Sequence, residues 1–128
     1  MDDGAVLALA EAHRLFAKFA DYPDYTLYVA ELHNEIVGTF ALLVMDNLGH
    51  LGARSAVVED VMVAPKHHSE GIGRTMMRAA IAIGREKSCY KLMLSSGAKR
   101  ARAHAFYENL GFARHGYSFL IDLNGCVT

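Results

Sequence analysis

The residues that offer chemistry cluster between Val58 and Met77. Two carboxylates, Glu59 and Asp60, interrupt an apolar run that Pro65 ends, because proline cannot donate a ladder hydrogen bond. A polar loop with His67, His68, Ser69 and Glu70 follows, then Gly71-Ile72-Gly73, then a helical pattern. Strand, glycine loop and helix in this order make an anion site. The helix start presents free N–H groups and the positive end of its dipole. Gly71 and Gly73 let an anion approach the backbone with no Cβ in the way. The stretch therefore reads as a phosphate cradle beside a strand that carries carboxylates. Gly-x-Gly by itself is a weak signal, since the third glycine of the dinucleotide fingerprint and the Gly-Lys-Ser/Thr of a P-loop are both missing. Two adjacent imidazoles, without cysteine or carboxylate at ligand spacing, do not make a metal site, and none is expected.

The elements that must position these groups follow from periodicity. Ala5 to Ala20 reads as a helix with Val6, Leu9, Phe16 and Phe19 on one face, capped by Asp2 or Asp3. Tyr25–Leu32 and Ile36–Met45 read as a hairpin around His33-Asn34-Glu35. Asp46–Ser55 is a loop, and Ala56–Ala64 is the strand that carries the carboxylates. The spacing predicts a helix over Ile72–Lys87, with Ile72, Met76, Ala79 or Ala80, and Ile83 facing the core and Arg74, Arg78 and Arg85 off it. Tyr90–Leu94 is a short buried strand on which Cys89 acts as a small hydrophobe. Arg102–Asn109 is a short helix ended by Gly111, and Tyr117–Leu123 is a last strand. The order α-β-β-β-α-β-α-β is an α/β arrangement with a mixed sheet.

Composition sets the outer bounds. The 128 residues, 52% of them hydrophobic, suit a single domain over 1–128 with one core. A formal net charge of −1 gives no pull toward nucleic acid or an acidic membrane. Two cysteines, Cys89 and Cys126, make no disulfide framework. Together with the lack of a signal peptide or a membrane-length apolar run, they point to the cytoplasm.

Three stretches, in order, resemble the GNAT superfamily of acyl-CoA-dependent N-acyltransferases. Val61-Met62-Val63 with His68-Ser69-Glu70-Gly71-Ile72-Gly73 is similar to its acyl-CoA site, Arg/Gln-x-x-Gly-x-Gly/Ala. The helix that follows, with Cys89-Tyr90-Lys91 and Leu94, is similar to the next helix and strand. Ala103-His104-Ala105-Phe106-Tyr107-Glu108-Asn109-Leu110-Gly111-Phe112 resembles the motif around the catalytic tyrosine. The resemblance implies a mixed central sheet that splays beside a bulge in the carboxylate strand, flanked by helices. Met1–Gly4 leave no room for the family's usual first strand, so either the sheet lacks it or the chain start is too late. It implies acetyl-CoA as acyl donor, with Val61, Met62 and Val63 pairing with the pantetheine arm and His68, Ser69, Glu70, Gly71, Ile72, Gly73 and Arg74 around the pyrophosphate. His68 stands where the family has Arg or Gln. Glu70 brings a negative charge that Lys66 and Arg74 would offset. Arg100 replaces a common cofactor-binding asparagine, beside Lys99 and Arg102.

The implied reaction is attack of an amine on a thioester. A lysine-like amine has a pKa of ~10.4, so the site needs a base, for which Glu59 and Asp60 are the candidates. Tyr107 would protonate the departing thiolate and touch the cofactor. The bulge N–H near Val63 would hold the oxyanion. Val58–Val61 with Cys89–Lys91 is similar to the glucosamine 6-phosphate branch; Ser95-Ser96, Arg100 and Ala103–Tyr107 are equally similar to aminoalkylphosphonate members. A small-molecule primary amine covers both. The alternatives are a non-catalytic acyl-CoA sensor and a protein acetyltransferase. Open sheet edges lead us to expect a homodimer.

Overall fold

A computed structural model describes residues 6–96 and 101–124. The chain divides into two compact units, Met1–Leu94 and Ser95–Thr128.

The first unit is a four-stranded mixed sheet with helices. Strands β1 (Tyr25–Leu32), β2 (Glu35–Met45), β3 (Arg54–Val63) and β4 (Cys89–Met93) lie in that spatial order. β1, β2 and β3 are antiparallel neighbours, and β4 runs parallel to β3. Helix α2 (Ile72–Glu86) makes the crossover from β3 to β4, as a parallel pair requires. The β1–β2 turn is tight because His33 and Asn34 both take positive φ, 50° and 64°. That is the type I′ pattern whose twist matches the strands.

The core lies between the sheet and α2. Val37, Phe40, Ala41, Leu42, Val44, Ala56 and Val58 are buried on the strands, and Met76, Met77 and Ala80 on the helix. Ala80 rather than Ala79 faces inward, Met77 joins it, and Ile72 and Ile83 are only half-buried. Helix and sheet approach closely at Gly38, where a Cβ would come within 2.9 Å of Met76 Sδ and 3.1 Å of Met62 O. Ser55 is 2% exposed, and Asn47 Nδ2 donates to its hydroxyl at 3.1 Å and to Ala53 O at 2.9 Å. This tie lets β3 start at Arg54, two residues before the expected strand.

Lys87, just past α2, holds Asp24 at the start of β1, with Nζ 3.0 and 2.7 Å from the two carboxylate oxygens. Hydrogen bonding to Asp24 raises the lysine pKa above its ordinary 10.5. The contribution to stability is therefore complete below 10.5 and lost as pH rises through the higher folded value. Lys87→Met is expected to cost about 1 kcal/mol at neutral pH. Urea denaturation at neutral pH, and again above the folded pKa, checks this: the gap between variant and parent should close in alkali.

Two expectations fail in local structure. Helix α1 covers Leu9–Ala17 and continues as a 3-10 turn over Lys18–Asp21. Its N-cap is Ala8, so the expected start at Ala5 with an aspartate cap does not hold; Asp2 and Asp3 themselves lie outside the described residues. Of its apolar face, Val6, Leu9 and Phe16 are exposed, while Phe19 stacks on Tyr25 at 4.0 Å and meets the Phe16 ring edge-on at 5.6 Å. Periodicity says which face is apolar, not whether another element covers it.

The second unit contains α3 (Ala101–Asn109). Its C-terminus is a Schellman cap: Gly111 N–H donates to Glu108 O and Phe112 N–H to Tyr107 O, with Gly111 at φ 99°. Contact between the Tyr107 and Phe112 rings seals the turn, as this motif prefers. Tyr117–Leu123 is not a strand. It forms no ladder, and Tyr117, Phe119, Leu120, Ile121 and Leu123 are all exposed. An apolar run has strand propensity, but it becomes a strand only where a neighbour supplies the other half of the hydrogen bonds.

Candidate active site

β3 is built irregularly where the chemistry is expected. Thr39 pairs with Met62 and Ala41 with Glu59, so Asp60 and Val61 together oppose Phe40. This is a bulge, and Asp60 takes the strain with φ 54°. The parallel pairing of β3 with β4 stops at Val57↔Met93. Beyond it, the edge of β3 that faces away from β2 has no strand partner among the described residues. This is the splay the family resemblance implies.

The backbone at that edge is oriented. Ala64 N–H donates to Val37 O at 2.8 Å, which makes Gly38↔Val63 a non-hydrogen-bonded pair of the ladder. Such a pair turns the N–H and C=O of Val63 away from β2. His68 uses that carbonyl, with Nε2 2.9 Å from Val63 O. The imidazole thus ties the polar loop back to the end of β3.

The loop delivers α2 with its N-terminus free of side-chain caps. Pro65 opens a 3-10 turn through His67, Ser69 takes φ 67°, and Gly71 is a left-handed N-cap at φ 80°. A Cβ added at Gly71 would meet nothing within 4 Å. The space over the first N–H groups is open, as an anion cradle needs. Thr75 is turned inward along the helix, its hydroxyl donating to Gly71 O at 3.0 Å.

Glu59, Asp60, Val61, Met62, Val63, His68, Ser69, Glu70, Gly71, Ile72, Gly73 and Arg74 all lie in the first unit, on one strand–loop–helix segment. Tyr107 lies in the second, half-buried, with its ring against Phe106 and Phe112. Lys99 and Arg100 are outside the described residues, as is Cys126. Lys66 is not available to offset Glu70, because its ammonium is 2.8 Å from Glu35. Glu70 instead meets His67. Burial pushes the Cys89 thiol up, which keeps it protonated and unreactive.

One residue was missed from the sequence. Tyr25 on β1 sits on the same sheet face as Glu59, two strands away, because Leu27↔Ala41↔Glu59 and Tyr25↔Leu43↔Val57 are adjacent rows. Burial raises its hydroxyl pKa, and the charges of Asp60 and Glu59, with Tyr22, raise it further. With Phe16, Phe19 and Leu27, Tyr25 lines a hollow of about 350 Å³. Nothing local marks it; only the strand register does.

The family model described as Acetyltransferase (GNAT) family matches residues 5–112. The chain belongs to this family. Glucosamine 6-phosphate N-acetyltransferase of Trypanosoma brucei brucei is 34% identical over 88 residues, which cover 69% of this chain and 58% of that protein. This GNAT chain thus spans little more than half the length of that relative, and less of several other curated relatives. Among solved structures, an Agrobacterium tumefaciens str. C58 protein is 33% identical with a TM-score of 0.87, covering 94% of this chain and 83% of that one. A Trypanosoma brucei acetyltransferase is 27% identical with a TM-score of 0.78, covering 95% and 84%. The mixed α/β fold of the GNAT chain is the one these neighbours share. No described helix is long and apolar enough to cross a membrane.

Proposed function

We propose that the chain, acting as one domain over residues 1–128, transfers the acetyl group of acetyl-CoA to a primary amine of a small molecule by direct attack in a ternary complex. The observation that carries this reading is the edge of β3 beyond Val57, unpaired among the described residues, bulged at Asp60–Val61 and followed by an N-terminus of α2 that no side chain caps. An edge with free N–H and C=O groups suits the amide-bearing pantetheine arm, which Val61, Met62 and Val63 would pair with. The start of α2, from Ser69 to Arg74, suits its diphosphate.

In the proposed reaction Glu59 or Asp60 removes a proton from the bound ammonium. The freed nitrogen attacks the thioester carbonyl, and the Val63 N–H stabilises the oxyanion. The C–S bond then breaks and Tyr107 gives its proton to the thiolate. Because the Trypanosoma relative is named for glucosamine 6-phosphate, aminosugar phosphates are the first acceptors to try. Aminoalkylphosphonates come next. A cytoplasmic homodimer is the proposed setting; β1 has an outer edge unpaired among the described residues.

CoA-thiol release over a panel of aminosugar phosphates, aminophosphonates, polyamines, amino acids and peptides tests the reading. Turnover on a small amine is the expected result. Tight acetyl-CoA binding with no turnover would make the chain a sensor, and turnover on peptides alone a protein acetyltransferase. The cradle has its own test. Gly71→Asp puts a carboxylate into the open space over α2. By calorimetry, acetyl-CoA affinity is expected to fall about 10-fold or more, through repulsion and lost access to the backbone. Aspartate in the left-handed region costs on the order of 1 kcal/mol, so the fold should persist. Unchanged affinity would remove the cradle.

A further inference from the structure

We propose that His67 is a positioning residue for the cofactor cradle: it holds the Glu70 carboxylate away from the N-terminus of α2, keeping an internal anion out of the diphosphate's place. The inference rests on the cradle assigned above.

Glu70 directly precedes Gly71, the N-cap of α2. A carboxylate there is the natural internal ligand for the first free N–H groups of the helix, through both hydrogen bonding and the dipole. It would compete with a diphosphate for the same donors. No side chain caps this helix, and Glu70 Oε2 lies 2.5 Å from His67 Nδ1.

The loop is shaped to make that contact. His67 closes the 3-10 turn, its N–H donating to Ala64 O at 2.9 Å. The His68 ring anchors the next residue to Val63 O. Ser69, in the left-handed region, turns the chain so that Glu70 comes back toward the side chain three residues earlier.

The imidazole is suited to a fixed role. Its side chain is 17% exposed, and Nε2 is buried with no hydrogen-bond partner among the described residues. That favours the tautomer in which Nδ1–H donates to Glu70 and Nε2 carries no hydrogen, since a second N–H would be buried with nothing to receive it. Among the described residues Arg74 forms no ion pair with Glu70, whose carboxylate meets His67. Lys66 is paired with Glu35. Restraint of Glu70 therefore falls to His67.

Calorimetry with CoA and with pantetheine, which lacks the diphosphate, on four proteins tests this. His67→Asn is expected to weaken CoA binding about 10-fold and leave pantetheine unchanged. Glu70→Gln should bind CoA as well as the parent or several-fold tighter. The double variant should return to within about twofold of Glu70→Gln, because the released group no longer carries charge. An equal loss for both ligands, or a loss that Glu70→Gln does not rescue, would mean that His67 only shapes the loop and would overturn the proposal. If His67→Asn fails to fold, Glu70→Gln decides alone: selective tightening of CoA supports the proposal, and weaker binding of CoA overturns it. A parent protein that binds no CoA would instead remove the cradle itself.

Discussion

Tyr107→Phe is expected to lower kcat by about 10²- to 10⁴-fold, the range for a lost general acid. Cofactor affinity and melting temperature should barely move. The substitution removes one hydroxyl and keeps the ring that packs edge-on against Phe106 and Phe112, at 5.2 and 5.8 Å between centroids. The backbone part of the cap is also untouched, since Tyr107 O accepts from Phe112 N–H whatever the side chain. A tyrosine kept only for packing would show the reverse pattern, with stability falling and the rate per folded molecule holding. Stopped turnover and thermal melts on the same preparation separate the two. A destabilised variant with full rate would remove Tyr107 from the chemistry.

The second large effect concerns the base. Glu59→Gln is expected to reduce kcat about 100-fold or more, and Asp60→Asn by less. Glu59 keeps a regular ladder position opposite Ala41, whereas Asp60 is the bulged residue at φ 54°. Both side chains are exposed on β3, so neither amide substitution should cost much stability. Raising the pH supplies deprotonated amine from solution, so a variant that lacks the base should recover part of its rate in alkaline buffer. The parent should gain less. Equal losses for the two variants would mean that the carboxylates share the proton. A greater loss for Asp60→Asn would transfer the role to it. Tyr25→Phe offers a control on the same face as Glu59: it tests whether this phenol helps to orient the amine, which would appear in KM rather than kcat.

Much of the positioning scaffold was legible along the chain because it is local. Pro65 had to end the run that carries Glu59 and Asp60, and the glycines Gly71 and Gly73 marked where an amphipathic helix opens. Gly111 just past Asn109 marked the close of another, since a glycine at C′ takes the left-handed cap at no steric cost. The His33-Asn34 turn and the inward methionine of α2, Met76, were equally local. Each depends on residues a few positions apart whose backbone preferences and spacing are written in the sequence.

What the tertiary structure decided depends on partners far away in the chain. That Asp60 and Val61 share one partner is a matter of register between strands about twenty residues apart, and register follows from the whole set of cross-strand contacts. The place where β4 stops pairing leaves Val58–Val63 with an edge open among the described residues, and no residue within that stretch encodes it. Lys66 looked free to balance Glu70, yet Glu35 at the start of β2 claims it, and His67 takes the carboxylate instead. Tyr25 reached the sheet face of Glu59 only through the pairing of β1, β2 and β3. The same logic explains the failures. The apolar face of α1 and the run Tyr117–Leu123 have the composition of buried elements, but burial requires a surface to meet them, and composition does not supply one.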